Sequence, residues 1–202
     1  MRIAVEILII LTAYLLGSIP FGYIFTKRLA GINIREHGSG NIGSTNVKRL
    51  AGRKASLYTQ LCDMAKGLLP VGIVWLLLSY NPLVFDPYFI YAVAFVSILG
   101  HNFSIFLRFK GGKGVNTTLG ASLLLSPLAV LSSVLVYYIL KWSTKYVSMG
   151  SICLAIALPI IGLLIHQLSF VFYYLLACSA LIIIRHIPNI KRLVAGTESK
   201  EV

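Results

Sequence analysis

Acidic side chains are scarce in this chain, six among 202 residues. Glu6, Glu36, Asp63, Asp86, Glu198 and Glu201 lie far apart, so no run of carboxylates forms the oxygen-rich site that a divalent cation needs, and no metal or other cofactor is expected. Cysteine is nearly missing as well. Cys62, Cys153 and Cys178 sit in apolar stretches at spacings that match no zinc site, which makes them buried bystanders. Charge of either sign is thin: 12% of residues are charged against 57% hydrophobic, whereas a soluble domain carries roughly 25% charged. With a mean hydropathy of +0.85, the chain reads as an integral membrane protein. No Pro/Gly/Ser-rich linker and no repeat divides it, so residues 1–202 read as one domain. The spacing G-x-x-x-x-G-K-[ST] is absent and no strand precedes a glycine run, which excludes a P-loop.

What is present is a set of apolar runs about 20 residues long, the length that crosses a hydrocarbon core about 30 Å thick. Residues 3–25, 56–80, 87–109, 147–165 and 168–184 qualify. The first is too long for a signal-peptide core and lacks an Ala-x-Ala cleavage site, so it reads as a span. The net charge of +12 would suggest nucleic acid in a soluble protein. Here it gathers beside the spans, where the positive-inside rule explains it and no nucleic-acid partner is implied. Lys27, Arg28, Arg35, Lys48, Arg49, Arg53 and Lys54 follow the first span, Arg108, Lys110 and Lys113 the third, and Arg185, Lys191, Arg192 and Lys200 the last. With all three regions inside, the N-terminus is outside and the C-terminus cytoplasmic. Residues 115–140 must then cross an even number of times, so they break at Pro127, which cannot continue a helix without losing a hydrogen bond. The expectation is an all-α membrane protein, a polytopic helical bundle of about seven transmembrane helices, including a short, tilted or partly re-entrant one over 115–126.

Three polar segments fall on that one face. In the first, residues 37–49, Gly38, Ser39, Gly40, Asn41, Thr45 and Asn46 make a dense run of turn formers and small donors that ends in Lys48 and Arg49. The second runs from Gly100-His101-Asn102 to Lys110-Gly111-Gly112-Lys113-Gly114-Val115. Glycines let a backbone approach a ligand and turn its N–H groups to one point, and lysines add charge, so the chemistry suits a phosphate. The third, residues 185–198, carries His186 at the exit of the last span, Asn189 three residues on, Arg192 and Glu198.

Together these segments resemble the bacterial acyl-phosphate:glycerol-3-phosphate acyltransferases, the PlsY-type membrane enzymes. The matching motifs are G-S-G-N-x-G-x-T-N, then G-H-N with F-K-G-G-K-G-V, then H-x-x-N-I-x-R-L-x-x-G-x-E. Asp63 and Lys66-Gly67 match a D-x-x-K-G. Ser44, Ser104 and Asn116 stand where the family commonly has alanine, proline and alanine, changes that remove no charge and no glycine. The resemblance implies acyl transfer from acyl phosphate to the 1-hydroxyl of glycerol 3-phosphate, the first acylation of phospholipid biosynthesis. It also implies a multi-pass protein of the bacterial cytoplasmic membrane with its active site on the cytoplasmic face. The partners are then acyl phosphate, glycerol 3-phosphate and membrane lipid, with no obligate protein partner.

The residues suit that chemistry on their own. Two phosphate-bearing anions about 6 Å apart repel by roughly 3 kcal/mol per pair of unit charges at an effective dielectric near 20, or ~10 kcal/mol for two phosphomonoesters. Arg49, Lys110, Lys113 and Arg192, with the amides of Gly111, Gly112 and Gly114, have the number and sign to offset it. Lys113 and the glycine backbone are assigned to a phosphate, Ser39 and Arg49 to the acyl phosphate or its leaving group. His186 and Asn189 are assigned to the hydroxyl or the second phosphate, with His186 or a leaving phosphate oxygen as proton acceptor. Gly38, Gly40, Asn41, Thr45, Asn46 and His101 complete the binding set; Asp63, Lys66 and Glu198 are expected to support it by ion pairing. A covalent acyl-enzyme lacks a G-x-S-x-G elbow, and no His is followed at the fifth position by Asp, the H-x-x-x-x-D pattern of acyl-CoA-dependent enzymes. A transporter would keep its polar groups near the bilayer midplane; these lie at one edge.

Overall fold

A computed structural model describes residues 2–200, and the regular structure among them is helical throughout. Eight α-helices run in order: α1 (Arg2–Ser18), α2 (Phe21–Ala30), α3 (Ser44–Tyr80), α4 (Phe89–Asn102), α5 (Val115–Ser122), α6 (Pro127–Thr144), α7 (Val147–His166) and α8 (Phe170–Val194). Single 3-10 turns occupy Ile34–Glu36 and Ile105–Leu107. Among the described residues, six segments are long and apolar enough to cross a membrane: Arg2–Ala30, Ser44–Tyr80, Phe89–Leu107, Pro127–Thr144, Val147–His166 and Phe170–Val194. The eight residues of α5 cover about 12 Å, the short helix expected ahead of Pro127.

The break expected before Pro127 is there. α5 stops at Ser122, and Pro127 opens α6 in its first turn, where a missing N–H costs nothing because no partner exists for it. Three other boundaries differ from expectation. The first span is not continuous, for α1 ends at Ser18 and α2 begins at Phe21, with Pro20 between them. Helix α3 starts at Ser44 rather than near residue 56, with non-helical backbone at Gly52 (φ 83°, ψ 178°) inside it. Helix α8 runs ten residues past Ile184 and through Pro188. A helix ends where its carbonyls are capped, not where hydropathy falls. For α8 that place is Gly196 (φ 68°). There Thr197 N–H donates to Arg192 O at 2.9 Å and Gly196 N–H to Leu193 O at 3.2 Å, the paired bonds of a Schellman stop.

The chain falls into two compact units, one reaching Leu124 and the other starting at Leu125. In the first, α1 packs along α4, α5 along α3, and α2 against α3. The α3–α5 approach is close enough to exclude any side chain at two places. A Cβ on Gly67 would stand 2.3 Å from Thr117 O, and one on Gly120 would stand 2.0 Å from Met64 O. In the second unit α7 packs against both α6 and α8, with Leu154, Leu158, Leu175 and Ile182 fully buried. Leu8, Leu11, Leu76, Leu131, Leu135 and Leu164 are exposed, as expected of faces that meet lipid.

Candidate active site

The first polar segment is held by one side chain. Asn46, in the first turn of α3, is 2% exposed. Its Nδ2 donates to His37 O at 3.1 Å and Asn41 O at 3.0 Å, with a longer approach to Ile34 O at 3.4 Å, while its Oδ1 accepts from Ser39 N–H at 3.2 Å. Asn46 is therefore a staple for the 34–41 loop rather than a substrate ligand. Asn41 likewise caps locally, its Oδ1 accepting from Gly43 N–H at 2.8 Å. Gly38 and Gly40 take positive φ in the same loop. The effect is to present Ser39, exposed, and Thr45, half-buried, beside the start of α3. Arg49 lies exposed in the second turn of that helix, past its N-terminus. The Ser39 hydroxyl meets Asn41 N–H at 3.5 Å, and the His37 ring meets Asn33 O at 3.0 Å.

The glycine loop is built on the end of α4. Gly112 N–H donates to His101 O at 3.0 Å and Gly111 N–H to Asn102 O at 3.2 Å, so these amides cap α4 and do not point outward as the sequence suggested. The glycines are required by contact instead. A Cβ on Gly111 would come 2.0 Å from His101 O, and one on Gly112 2.1 Å from His101 Nε2; Gly114 leaves 2.7 Å to Asn102 Oδ1. Arg108 and Phe109 take the left-handed conformation (φ 53° and 61°), which is uncommon for side chains of that size. Tyr14 Oη donates to Phe103 O at 2.7 Å and Ser104 Oγ to Ser18 O at 2.5 Å, tying the loop to α1. Lys110 is exposed and Lys113 half-buried.

Gly114 (φ 84°) caps α5, so Lys113 sits just ahead of that helix. Asn116 Nδ2 reaches Ser44 Oγ at 3.4 Å, which brings the first turn of α5 to the first turn of α3. Two helix N-termini thus meet; such ends carry N–H groups without an intrahelical partner and a partial positive charge, the environment that receives a phosphate. Behind them Lys66 pairs with Asp63 at 2.8 Å, as expected, and also donates to Ile19 O at 2.8 Å. His101, read from sequence as a phosphate ligand, is 4% exposed with Nδ1 3.6 Å from Asp63 Oδ1, and belongs to this buried group.

In the second unit the third segment is helix, not loop. His186, Asn189 and Arg192 therefore repeat at three-residue spacing along one side of α8. His186 Nδ1 lies 2.8 Å from Ile182 O. A carbonyl only accepts, so Nδ1 is the donor of this bond. The Ile182 carbonyl orients the imidazole. Glu198 folds back past Gly196 to accept from Asn189 Nδ2 and Arg192 Nε, both at 2.6 Å. Burial alone would raise the Glu198 carboxyl, but the bonds from Asn189 and Arg192, the Ser148 hydroxyl beside it and the guanidinium charge hold it below the usual glutamate range. Lys200 adds a contact over the Tyr146 ring. Of the three cysteines expected to be buried, Cys178 is, whereas Cys62 and Cys153 are only half-buried.

Residues 7–196 match the family model described as glycerol-3-phosphate acyltransferase. The chain belongs to the glycerol-3-phosphate acyltransferase family. A relative from Clostridium acetobutylicum is 44% identical over 196 residues, covering 96% of this chain and 98% of its own. Another, from Trichlorobacter lovleyi, is 45% identical with 93% of each covered. The fold is similar to the crystal structure of PlsY, an integral membrane glycerol 3-phosphate acyltransferase, in its glycerol 3-phosphate form. The TM-score is 0.88 at 35% identity, with 98% of this chain and 96% of that one covered. The lysophosphatidic acid form of PlsY gives 0.85 at 34% identity, with 98% and 95% covered. The protein is thus a multi-pass membrane acyltransferase acting in phospholipid synthesis. Sequence reasoning missed four parts of it: the Ser44–Asn116 link, the Ile182 carbonyl, the Pro20 break, and Asn102, fully buried against Gly114. Asn102 was marked only by its place in the Gly-His-Asn run.

Proposed function

We propose that this acyltransferase takes its acyl group from acyl phosphate and delivers it to the 1-hydroxyl of glycerol 3-phosphate, releasing 1-acylglycerol 3-phosphate and phosphate. The observation that carries the reading is the meeting of the α3 and α5 N-termini through Ser44 and Asn116, directly after Lys113. That arrangement suits phosphate on the donor as well as on the acceptor, and supplies dipoles before the reaction starts.

The hydroxyl oxygen attacks the acyl carbonyl carbon, the bond from that carbon to the phosphate oxygen breaks, and phosphate leaves. Lys113 and the first-turn amides of α5 take one phosphate. Ser39, Thr45 and Arg49, at the head of α3, take the acyl phosphate and neutralise its leaving group. Asn189 and Arg192, locked by Glu198, bind the acceptor. The hydroxyl proton goes to His186 Nε2 or to an oxygen of the departing phosphate. A pH–rate profile separates these, because only the first loses its imidazole limb in His186→Asn. A mixed anhydride has a good leaving group, so alignment and charge neutralisation carry most of the rate. We place the reaction at the cytoplasmic face of the bacterial inner membrane, where the basic segments are expected to lie.

Purified enzyme given acyl phosphate and glycerol 3-phosphate releases phosphate and acylglycerol phosphate in equal amounts. Transfer from acyl-CoA alone would reject the donor.

A further inference from the structure

Three ionisable side chains of the first unit lie where a membrane protein has least reason to keep them. Asp63 and Lys66 on α3 and His101 on α4 are 2%, 4% and 4% exposed. A buried ion pair is poor ground for stability, since apolar replacements often do as well, and ionisable groups inside membrane helices usually mark function. These three connect two irregular pieces of backbone. At one end Lys66 Nζ donates to Ile19 O at 2.8 Å, beside the Pro20 break between α1 and α2. In the middle it stands 2.8 Å from Asp63 Oδ1, with His101 Nδ1 3.6 Å from the same oxygen. At the other end His101 meets the glycine loop twice. Its carbonyl takes the Gly112 N–H at 3.0 Å, and its Nε2 edge fills the place of a Gly112 side chain. Lys113 is the next residue.

We propose that Asp63, Lys66 and His101 are positioning residues, a buried relay from the α1–α2 break to Gly112 that holds the 110–115 loop, and with it Lys113, in register. The proposal deepens the reading above, for it rests on Lys113 binding a substrate phosphate. It gives His101 a role through the loop and not on the substrate. It also explains why a membrane helix keeps a lysine that makes no approach to the surface.

The test compares His101→Asn with His101→Gln. The asparagine amide nitrogen falls near the Nδ1 position and keeps a donor toward Asp63; glutamine does not. Hydrogen–deuterium exchange over residues 109–115, thermal midpoint in detergent and steady-state constants are measured for each. For His101→Gln the relay predicts a cooperative thermal transition, loop amides exchanging about tenfold faster and kcat lower by about 10- to 100-fold, the size of effect a small misplacement produces. His101→Asn, which keeps the donor toward Asp63 but not the edge against Gly112, recovers part of both. Asp63→Leu with Lys66→Met, an apolar replacement of the pair, stays folded and behaves like His101→Gln. In a Lys113→Ala background, His101→Gln lowers kcat further by less than about twofold, because its effect passes through Lys113. Equal loop exchange in the Asn, Gln and parent proteins overturns the relay, as does a full independent loss of kcat in the Lys113→Ala background. A parent enzyme that ignores acyl phosphate would reject the donor assignment alone, and the exchange measurement would still decide the relay.

Discussion

The glycine loop of the first unit and the α8 terminus of the second place polar groups by opposite means. Residues 101–114 use irregular backbone: two left-handed side-chain-bearing residues, glycines pressed on His101 and Asn102, and amides turned back onto α4. Residues 186–198 use regular helix, which sets His186, Asn189 and Arg192 three apart, and then one glycine stop that returns Glu198 to them. Glycine in the loop is therefore a steric requirement, and proline in α8 is tolerated inside a helix. The loop should be unforgiving of any added atom, whereas α8 should tolerate change away from His186, Asn189 and Arg192 wherever its helix survives.

The largest break in that contrast is expected from Lys113→Ala, which removes the cation just ahead of α5. Turnover should fall by about 10²- to 10³-fold, the scale for losing one preorganised charge-stabilising group, with the detergent thermal midpoint held within a few degrees. Near-normal kinetics would take the loop out of the site. Gly112→Ala comes next. Its Cβ would stand 2.1 Å from His101 Nε2, so the ring must move; overpacking of this kind costs about 1–3 kcal/mol, and activity should drop together with the midpoint. An unstrained, active Gly112→Ala would contradict the contact.

The α8 side gives smaller effects. Glu198 has its folded-state pKa held down, so its clamp contributes stability above the ordinary glutamate range and loses it as pH falls through the folded value. Below about pH 4.5, tail docking, read by exchange at residues 195–200, should loosen in the parent protein. Glu198→Gln should show that looseness already at pH 7. Smallest of all, Pro188→Ala should leave helix content unchanged and the midpoint equal or higher, because a backbone N–H is regained. A loss of activity with a lower midpoint would contradict a proline merely tolerated within the helix.

Much of this arrangement was legible in the sequence where the cause is local. Pro127 announced its break, Asp63–Lys66 paired as their spacing suggested, and Glu198 found its basic neighbour in Arg192. The extent of α8 was legible too, in Gly196, but hydropathy set the boundary at Ile184 and hid it. Other features depend on partners far along the chain. Nothing near Pro20 shows that Lys66 meets the Ile19 carbonyl, 47 residues away. Nothing in Lys110-Gly111-Gly112-Lys113 shows that the two glycine amides are spent on α4. Ser44 and Asn116 lie 72 positions apart, and each looked like an idle substitution until the fold joined them.

A rapid-mixing experiment with acyl phosphate, before any glycerol 3-phosphate is present, examines the heart of the scheme: direct transfer between two phosphate-bearing molecules held by cations and helix ends. Phosphate should stay unreleased until the acceptor is added, then appear one-for-one with acylglycerol phosphate. A burst of phosphate equal to the enzyme, with the acyl group left on the protein, would contradict it.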